Sequence, residues 1–149
     1  MVNYNIENEI IDKHRVVTKE YRNNILVKSY HTFDGTLFHP SQPADIEYYQ
    51  NGNIKRETYV CTNEHHSHAY RKNGPAIIEY YINGNIKSEF WSTDPLFYPH
   101  RKDGPAVIYY NINGTIKDEF YYSNGKLIED ELTIEMIKTL AKIEKENNY

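Results

Sequence analysis

The chain has little of what most enzymes, secreted domains and membrane proteins are built from. Its 149 residues include one cysteine, Cys61, which excludes a disulfide framework and paired-thiol metal spacing. No apolar run approaches the roughly 20 residues that span a bilayer. The opening MVNYNIENEIIDK has no apolar core of the kind a secretory leader carries. Positive charge is not in excess: 17 Lys and Arg stand against 21 Asp and Glu, for a net −4, so no basic footprint favours a nucleic-acid backbone. A glycine-rich phosphate loop, a serine–histidine–acid arrangement and a paired general acid and base are all missing. These absences lead to the expectation of a cytoplasmic protein that is not an enzyme, carries no cofactor or metal, and binds neither nucleic acid nor membrane.

What the chain does have is tyrosine, 15 of them, and a repeat. Tyrosine suits half-buried strand faces because its ring packs while its hydroxyl stays wet. Residues 73–90 read NGPAIIEYYINGNIKSEF and residues 103–120 read DGPAVIYYNINGTIKDEF. Pro43 to Gly52, Pro75 to Gly84 and Pro105 to Gly114 share one spacing of nine, and the units recur after 32 and then 30 residues. Each copy reads as two short strands joined by Asn-Gly, which predicts a tandem β-hairpin protein. A degenerate first unit fits HRVVTKEYR, a turn at Asn23-Asn24 and ILVKSYHTF, with a further turn at Asp34-Gly35. From Glu131 to Glu146 the period becomes helical, with Met136, Leu140 and Ile143 on one face and Ile134, Ile137 and Ala141 beside it. Asp130 or Thr133 is the candidate cap.

The expected organisation is therefore one mainly β repeat domain over residues 1–149. It divides into an N-terminal arm or short helix (1–13), a degenerate repeat (14–37), three repeats (38–69, 70–99, 100–129) and a capping helix (130–149). A two-residue Asn-Gly turn would set Tyr80 opposite Lys87, Ile78 opposite Glu89 and Ala76 opposite Trp91. One face then carries Ala, Ile, Tyr, Lys, Glu and an aromatic in each of three units. The other drifts in charge and size, except for Ile54, Ile86 and Ile116. The repeated face reads as the stacking seam and the varied face as the place to seek recognition.

His100-Arg101-Lys102-Asp103-Gly104-Pro105-Ala106, followed by Ile108-Tyr109-Tyr110, Asn113-Gly114, Ile116-Lys117 and Glu119, resembles the variant MORN repeat, and residues 70–76 restate it with Tyr in the leading place. The likeness covers residues 70–127 most fully and 38–60 less so. Ser41-Gln42 departs from it where Asn/Asp-Gly would stand. The resemblance implies hairpins stacked into an elongated, curved antiparallel sheet. It implies a setting in large DNA viruses, phages or bacteria, some members being antitoxin or immunity components, and it implies no enzymatic mechanism.

Three candidate sites follow. A protein partner, engaged in the manner of an inhibitor or antitoxin, would meet the varied face at Glu47, Tyr49, Glu79, Tyr81, Tyr109 and Asp118. Alternatively, Arg71, Tyr80, Trp91, His100, Arg101 and Tyr110 would hold a small anionic ligand such as a nucleotide between units, with arginine as fork donor and tyrosine as stacking platform. His65, His66 and His68, near Cys61 and Glu64, form the densest ligand cluster; without paired spacing they read as a solvated loop rather than a metal or catalytic centre.

Overall fold

The computed structural model describes residues 1–62, 67–92 and 98–147. Its strands are β1 (Tyr4–Ile10), β2 (Arg15–Arg22), β3 (Ile25–Phe33), β4 (Thr36–Leu37), β5 (Asp45–Tyr48), β6 (Ile54–Thr58), β7 (Val60–Thr62), β8 (Ser67–Ala69), β9 (Ile77–Tyr80), β10 (Ile86–Phe90), β11 (Val107–Tyr110), β12 (Ile116–Phe120), β13 (Tyr122–Ser123) and β14 (Lys126–Leu127). One helix, α1 (Glu131–Asn147), follows. Nine strands form an open antiparallel sheet in the order β1-β2-β3-β5-β6-β9-β10-β11-β12, with β4 added to β3. Neighbours in the sheet follow chain order, so the chain meanders and does not close into a barrel. The segments between hairpins form short ladders of their own, β7 with β8 and β13 with β14.

The repeat turns differ from the expected two-residue form. The carbonyls of Tyr49, Tyr81 and Asn111 accept the N–H of Gly52, Gly84 and Gly114 at 2.9 Å, and their own N–H groups donate to Asn53, Asn85 and Thr115 at 2.8 Å. That is a three-residue loop closed by a left-handed glycine, with φ of 85°, 89° and 86°. The asparagine before each glycine keeps an ordinary backbone. Two-residue turns occur instead where both residues are left-handed, at Asn23-Asn24, Asp34-Gly35 and Asn124-Gly125.

The longer loop inserts a bulge, and this corrects the register near the turn. Tyr48, Tyr80 and Tyr110 stand opposite Ile54, Ile86 and Ile116, not opposite the lysines. Beyond the bulge the expected pairs hold: Ile46 with Glu57, Ile78 with Glu89, Ile108 with Glu119. The displaced lysines turn toward the varied side, where Lys55 Nζ reaches Glu47 at 2.9 Å and Lys87 Nζ reaches Glu79 at 3.5 Å.

The core is thin and lies along the repeated face. Ala44, Ala76 and Ala106 are fully buried, and Ile78 and Ile108 nearly so. Small alanine lets adjoining units approach closely, and the isoleucine fills beside it. The N-terminal segment is a strand rather than an arm or helix: β1 pairs with β2 over its whole length from Tyr4↔Arg22 to Ile10↔Val16. Asp130 caps α1, accepting the Thr133 N–H at 2.8 Å and the Thr133 hydroxyl. The helix settles on its flanking row. Ile134, Ile137 and Ala141 are half-buried, whereas Met136, Leu140 and Ile143 face solvent together with Leu132. No helix among the described residues is long and apolar enough to cross a membrane.

Candidate functional site

The loop motif around each arginine builds a layered contact between units. Arg71 lies over the Tyr59 ring with Cζ 3.8 Å from its centroid, and Arg101 lies over Trp91 at 3.7 Å. The other side of each guanidinium is covered by the turn glycine. A Cβ at Gly74 would stand 3.0 Å from Arg71 Cζ, and one at Gly104 would stand 3.2 Å from Arg101 Cζ. Ring, guanidinium and bare glycine backbone therefore form a sandwich, which gives Arg-x-x-Gly-Pro a physical reason. The two ends of the protein use substitutes. His31 and His39 occupy the aromatic and arginine places of the second unit, their rings edge to face at 4.8 Å. At the far end Lys138 of α1 reaches toward Tyr121, 6.0 Å from its centroid.

A ladder of hydroxyls and carboxylates runs beside these sandwiches. Tyr80 donates to Glu57 at 2.7 Å, the Tyr110 hydroxyl lies beside Glu89, and Trp91 Nε1 donates to the same Glu89 at 3.1 Å. Ser29 takes the glutamate's place under Tyr48, their hydroxyls 3.1 Å apart. Burial first, and then the neighbouring glutamate, pushes the Tyr80 hydroxyl well above the ordinary tyrosine range and raises that of Tyr110. Thus the structure does bring Trp91, Arg101 and Tyr110 together, but around an acid. His100 approaches the same loops, its Nδ1 accepting the Asn124 N–H at 3.4 Å. An anion entering between the units would meet Glu57 or Glu89, and it would find each guanidinium already stacked.

On the varied side the six expected residues fall into two groups. Tyr49 and Tyr81 serve the scaffold: their hydroxyls donate to the carbonyls of Tyr80 and Tyr110 at 2.8 Å, one unit further on. Asn53 and Asn85 reinforce these ties through bonds to the Ile82 and Ile112 carbonyls at 2.8 Å. Glu47 is held by Lys55, whose hydrogen bond keeps its carboxyl below the usual range. Glu79 takes Lys87 and the Ser88 hydroxyl. Tyr109 and Asp118 are different. Tyr109 is 43% exposed and packs edge to face with Phe120, itself 38% exposed, at 6.1 Å. Asp118 is directly opposite Tyr109 in the ladder. A groove of about 200 Å³ runs beside them, floored by Ile77, Phe90 and Val107 and flanked by Arg56 and Glu79. Arg56 Nε is buried there with no hydrogen-bond partner among the described residues.

Sequence reasoning missed a larger cavity, about 540 Å³, where the degenerate first unit meets the second. Val17, Phe33 and Phe38 give it apolar walls, and Arg15, His31 and His39 bring polar atoms. Arg15 is neutralised by Asp12 at 2.7 Å. His39 Nδ1 accepts the N–H groups of Ser41 and Gln42 at 3.2 and 2.8 Å, so that nitrogen carries no proton. Desolvation lowers the pKa of both histidines from the ordinary 6.5. The available signal was alignment on the unit prolines, which sets His39 in register with Arg71 and Arg101. The histidine-rich connector is in part the β7–β8 ladder, with Cys61 opposite His68. His65, His66 and Glu64 lie outside the described residues. No group of three metal-ligating side chains occurs among the described residues, and burial raises the Cys61 thiol above its ordinary pKa. No family model, no curated protein and no solved structure matches the chain.

Proposed function

We propose that the chain is a non-enzymatic, cytoplasmic binding module of the variant MORN-repeat type, which engages a protein partner as an inhibitor or antitoxin does. The observation that carries this reading is the patch of Tyr109, Phe120 and Asp118 on the varied side. Two half-exposed rings in mutual contact beside a carboxylate match the composition of binding hot spots, where aromatic anchors dominate and flanking charge sets orientation. The reading narrows the partner surface from six residues to its C-terminal part, because Tyr49 and Tyr81 are engaged in inter-unit bonds. The Glu57 and Glu89 carboxylates weigh against an anionic ligand as the alternative.

Affinity purification of the chain and of Tyr109→Ala/Asp118→Lys in parallel, with mass spectrometry of both eluates, tests the proposal. A protein held by the unaltered chain and released by the variant, at equal melting temperature, supports it. A nucleotide in the denatured extract with no such protein would sink it in favour of ligand sequestration.

A further inference from the structure

The sheet ends at β12, and the outer edge of β12 repeats an edge that is occupied twice inside the chain. Along β6, Arg56, Glu57 and Thr58 pair with Glu79, Ile78 and Ile77; along β10, Ser88, Glu89 and Phe90 pair with Tyr109, Ile108 and Val107. The strand that fills the edge has one form both times, Gly-Pro-Ala-Ile-Ile-Glu-Tyr at 74–80 and Gly-Pro-Ala-Val-Ile-Tyr-Tyr at 104–110. Three contacts define the fit. The alanine carbonyl accepts the N–H of the aromatic just beyond the edge, Tyr59 to Ala76 at 2.8 Å and Trp91 to Ala106 at 2.7 Å. The central isoleucine stands opposite a glutamate. The terminal tyrosine hydroxyl is directed at that same glutamate, Tyr80 donating to Glu57 at 2.7 Å and Tyr110 lying beside Glu89.

In the last unit, Asp118, Glu119 and Phe120 take the places of Ser88, Glu89 and Phe90, and Tyr121 takes that of Trp91. Outward-facing backbone groups alternate along a strand, so the Trp91 bond to Ala106 marks Glu89, and by the repeat Glu119, as facing the next strand. Among the described residues no strand of the sheet pairs beyond β12, and every residue of β12 is exposed. Glu119 receives no tyrosine hydroxyl among the described residues. Helix α1 shelters Tyr121, which is 5% exposed, and leaves the strand edge unpaired.

We propose that β12 captures an extended segment of a partner chain that carries a small–x–aliphatic–x–tyrosine pattern, added antiparallel as the next strand of the sheet. Main-chain bonds supply affinity in this mode, and alternate side chains supply selectivity. A second copy of this chain is not the occupant. Its own segments of that pattern are paired on both sides, and its free strand, β1, reads Tyr-Asn-Ile-Glu-Asn-Glu-Ile. The edge shares Asp118 and Phe120 of β12 with the aromatic patch but uses the strand backbone and Glu119, so Tyr109→Ala, which spares both, tests the patch alone.

The test uses a fluorescent peptide with the sequence of residues 101–111, titrated into the full chain and followed by anisotropy, with light scattering to give the mass of the chain. Saturable binding to a monomer is expected. N-methylation of the peptide at the Ile108 position, which removes the amide aimed at Glu119, should weaken it about tenfold or more, since an edge acceptor is left unmet. Glu119→Ala, an exposed substitution, should weaken it as well. Absence of saturable binding at millimolar peptide, indifference to either change, or a dimer that excludes the peptide would each overturn the proposal.

Discussion

Removing the Arg101 guanidinium should loosen the third repeat from the fourth, and the structure sets the size of the effect. The side chain is only 16% exposed and lies 3.7 Å above Trp91. A cation on an aromatic face in so dry a place contributes about 2 kcal/mol. Its ion pair with Asp103, which is half exposed, adds about 0–1 kcal/mol. Partial rehydration of the Trp91 face offsets some of the loss, so Arg101→Ala should cost about 2–3 kcal/mol. Arg101→Lys keeps the charge and loses the plane, and should cost about half of that.

A second substitution separates this account from a general loss of packing. Gly104 keeps an ordinary backbone, so the obstacle to alanine there is the 3.2 Å approach to Arg101. Gly104→Ala should cost about 1 kcal/mol through overpacking. With Arg101 already truncated the obstacle is gone, and the same change should be neutral or stabilise by about 0.4–1 kcal/mol through the unfolded chain. The double-mutant coupling is then about 1 kcal/mol or more. Gly74 forms the contrast: its φ of 144° penalises alanine whether or not Arg71 is present. The assay is urea unfolding followed by circular dichroism and by the emission of Trp91, the chain's sole tryptophan. An unchanged unfolding midpoint and emission in Arg101→Ala would refute the sandwich, as would an equal cost of Gly104→Ala in both backgrounds.

Acid should weaken the first cavity before it affects the rest. Because burial holds the His31 and His39 pKa below 6.5 in the folded chain, the unfolded chain takes up protons first as pH falls. The stabilisation is therefore complete above that value and is lost as pH drops from about 6.5 toward the lowered folded pKa. Unfolding midpoints recorded between about pH 8 and pH 5 should decline over that window, and the decline should flatten when His31 and His39 are replaced by the tyrosine and arginine of the next unit. Tyr80→Phe removes the donor to Glu57 and leaves a part-buried carboxylate unmet, at a cost of about 1–3 kcal/mol; Tyr80→Phe paired with Glu57→Leu should recover most of it in the same unfolding assay.

The unit spacing was legible because alanine, isoleucine and tyrosine at alternate positions name a strand face, and the pairs Ile78–Glu89 and Ile108–Glu119 followed from it. The lysines were misplaced for a definite reason. Asn-Gly suits a two-residue turn, yet a three-residue loop asks only that the glycine be left-handed, and that choice inserts the bulge that frees Lys55 and Lys87. β1 was obscured by its asparagines and glutamates, whose side chains weaken any strand signal while their backbone pairs fully with β2. The face of α1 was read from its stronger apolar row, but the body accepts the weaker one because Tyr121 is what needs shelter. Among the candidate residues, Tyr49 and Tyr81 looked available because the hydroxyl partners lie about 30 residues away, beyond any local pattern. The sandwich was hidden in the same way, since each arginine is in one unit and its ring in the unit before.

These contacts share a direction, and the direction shows where the repeat leaves groups over. The second and third units each hand a glutamate and an aromatic ring forward, and the next unit answers with a tyrosine and a guanidinium. Such a chain of nearest-neighbour terms holds only while each unit has a successor. At the start the long β2–β3 hairpin closes the series with Ser29 and the His31–His39 pair in place of the usual groups. At the end α1 answers part of what the fourth unit offers: Lys138 reaches toward Tyr121 and Glu119, while among the described residues no tyrosine hydroxyl meets Glu119 and no strand pairs with the outer edge of β12. The repeated face is thus consumed by cohesion, whereas the Tyr109–Phe120 patch and the β12 edge are where the repeat's own bonding rules leave something over. A partner gains most where the scaffold has already arranged the groups and left them unpaired, because the ordering that binding would otherwise require has been done in the fold.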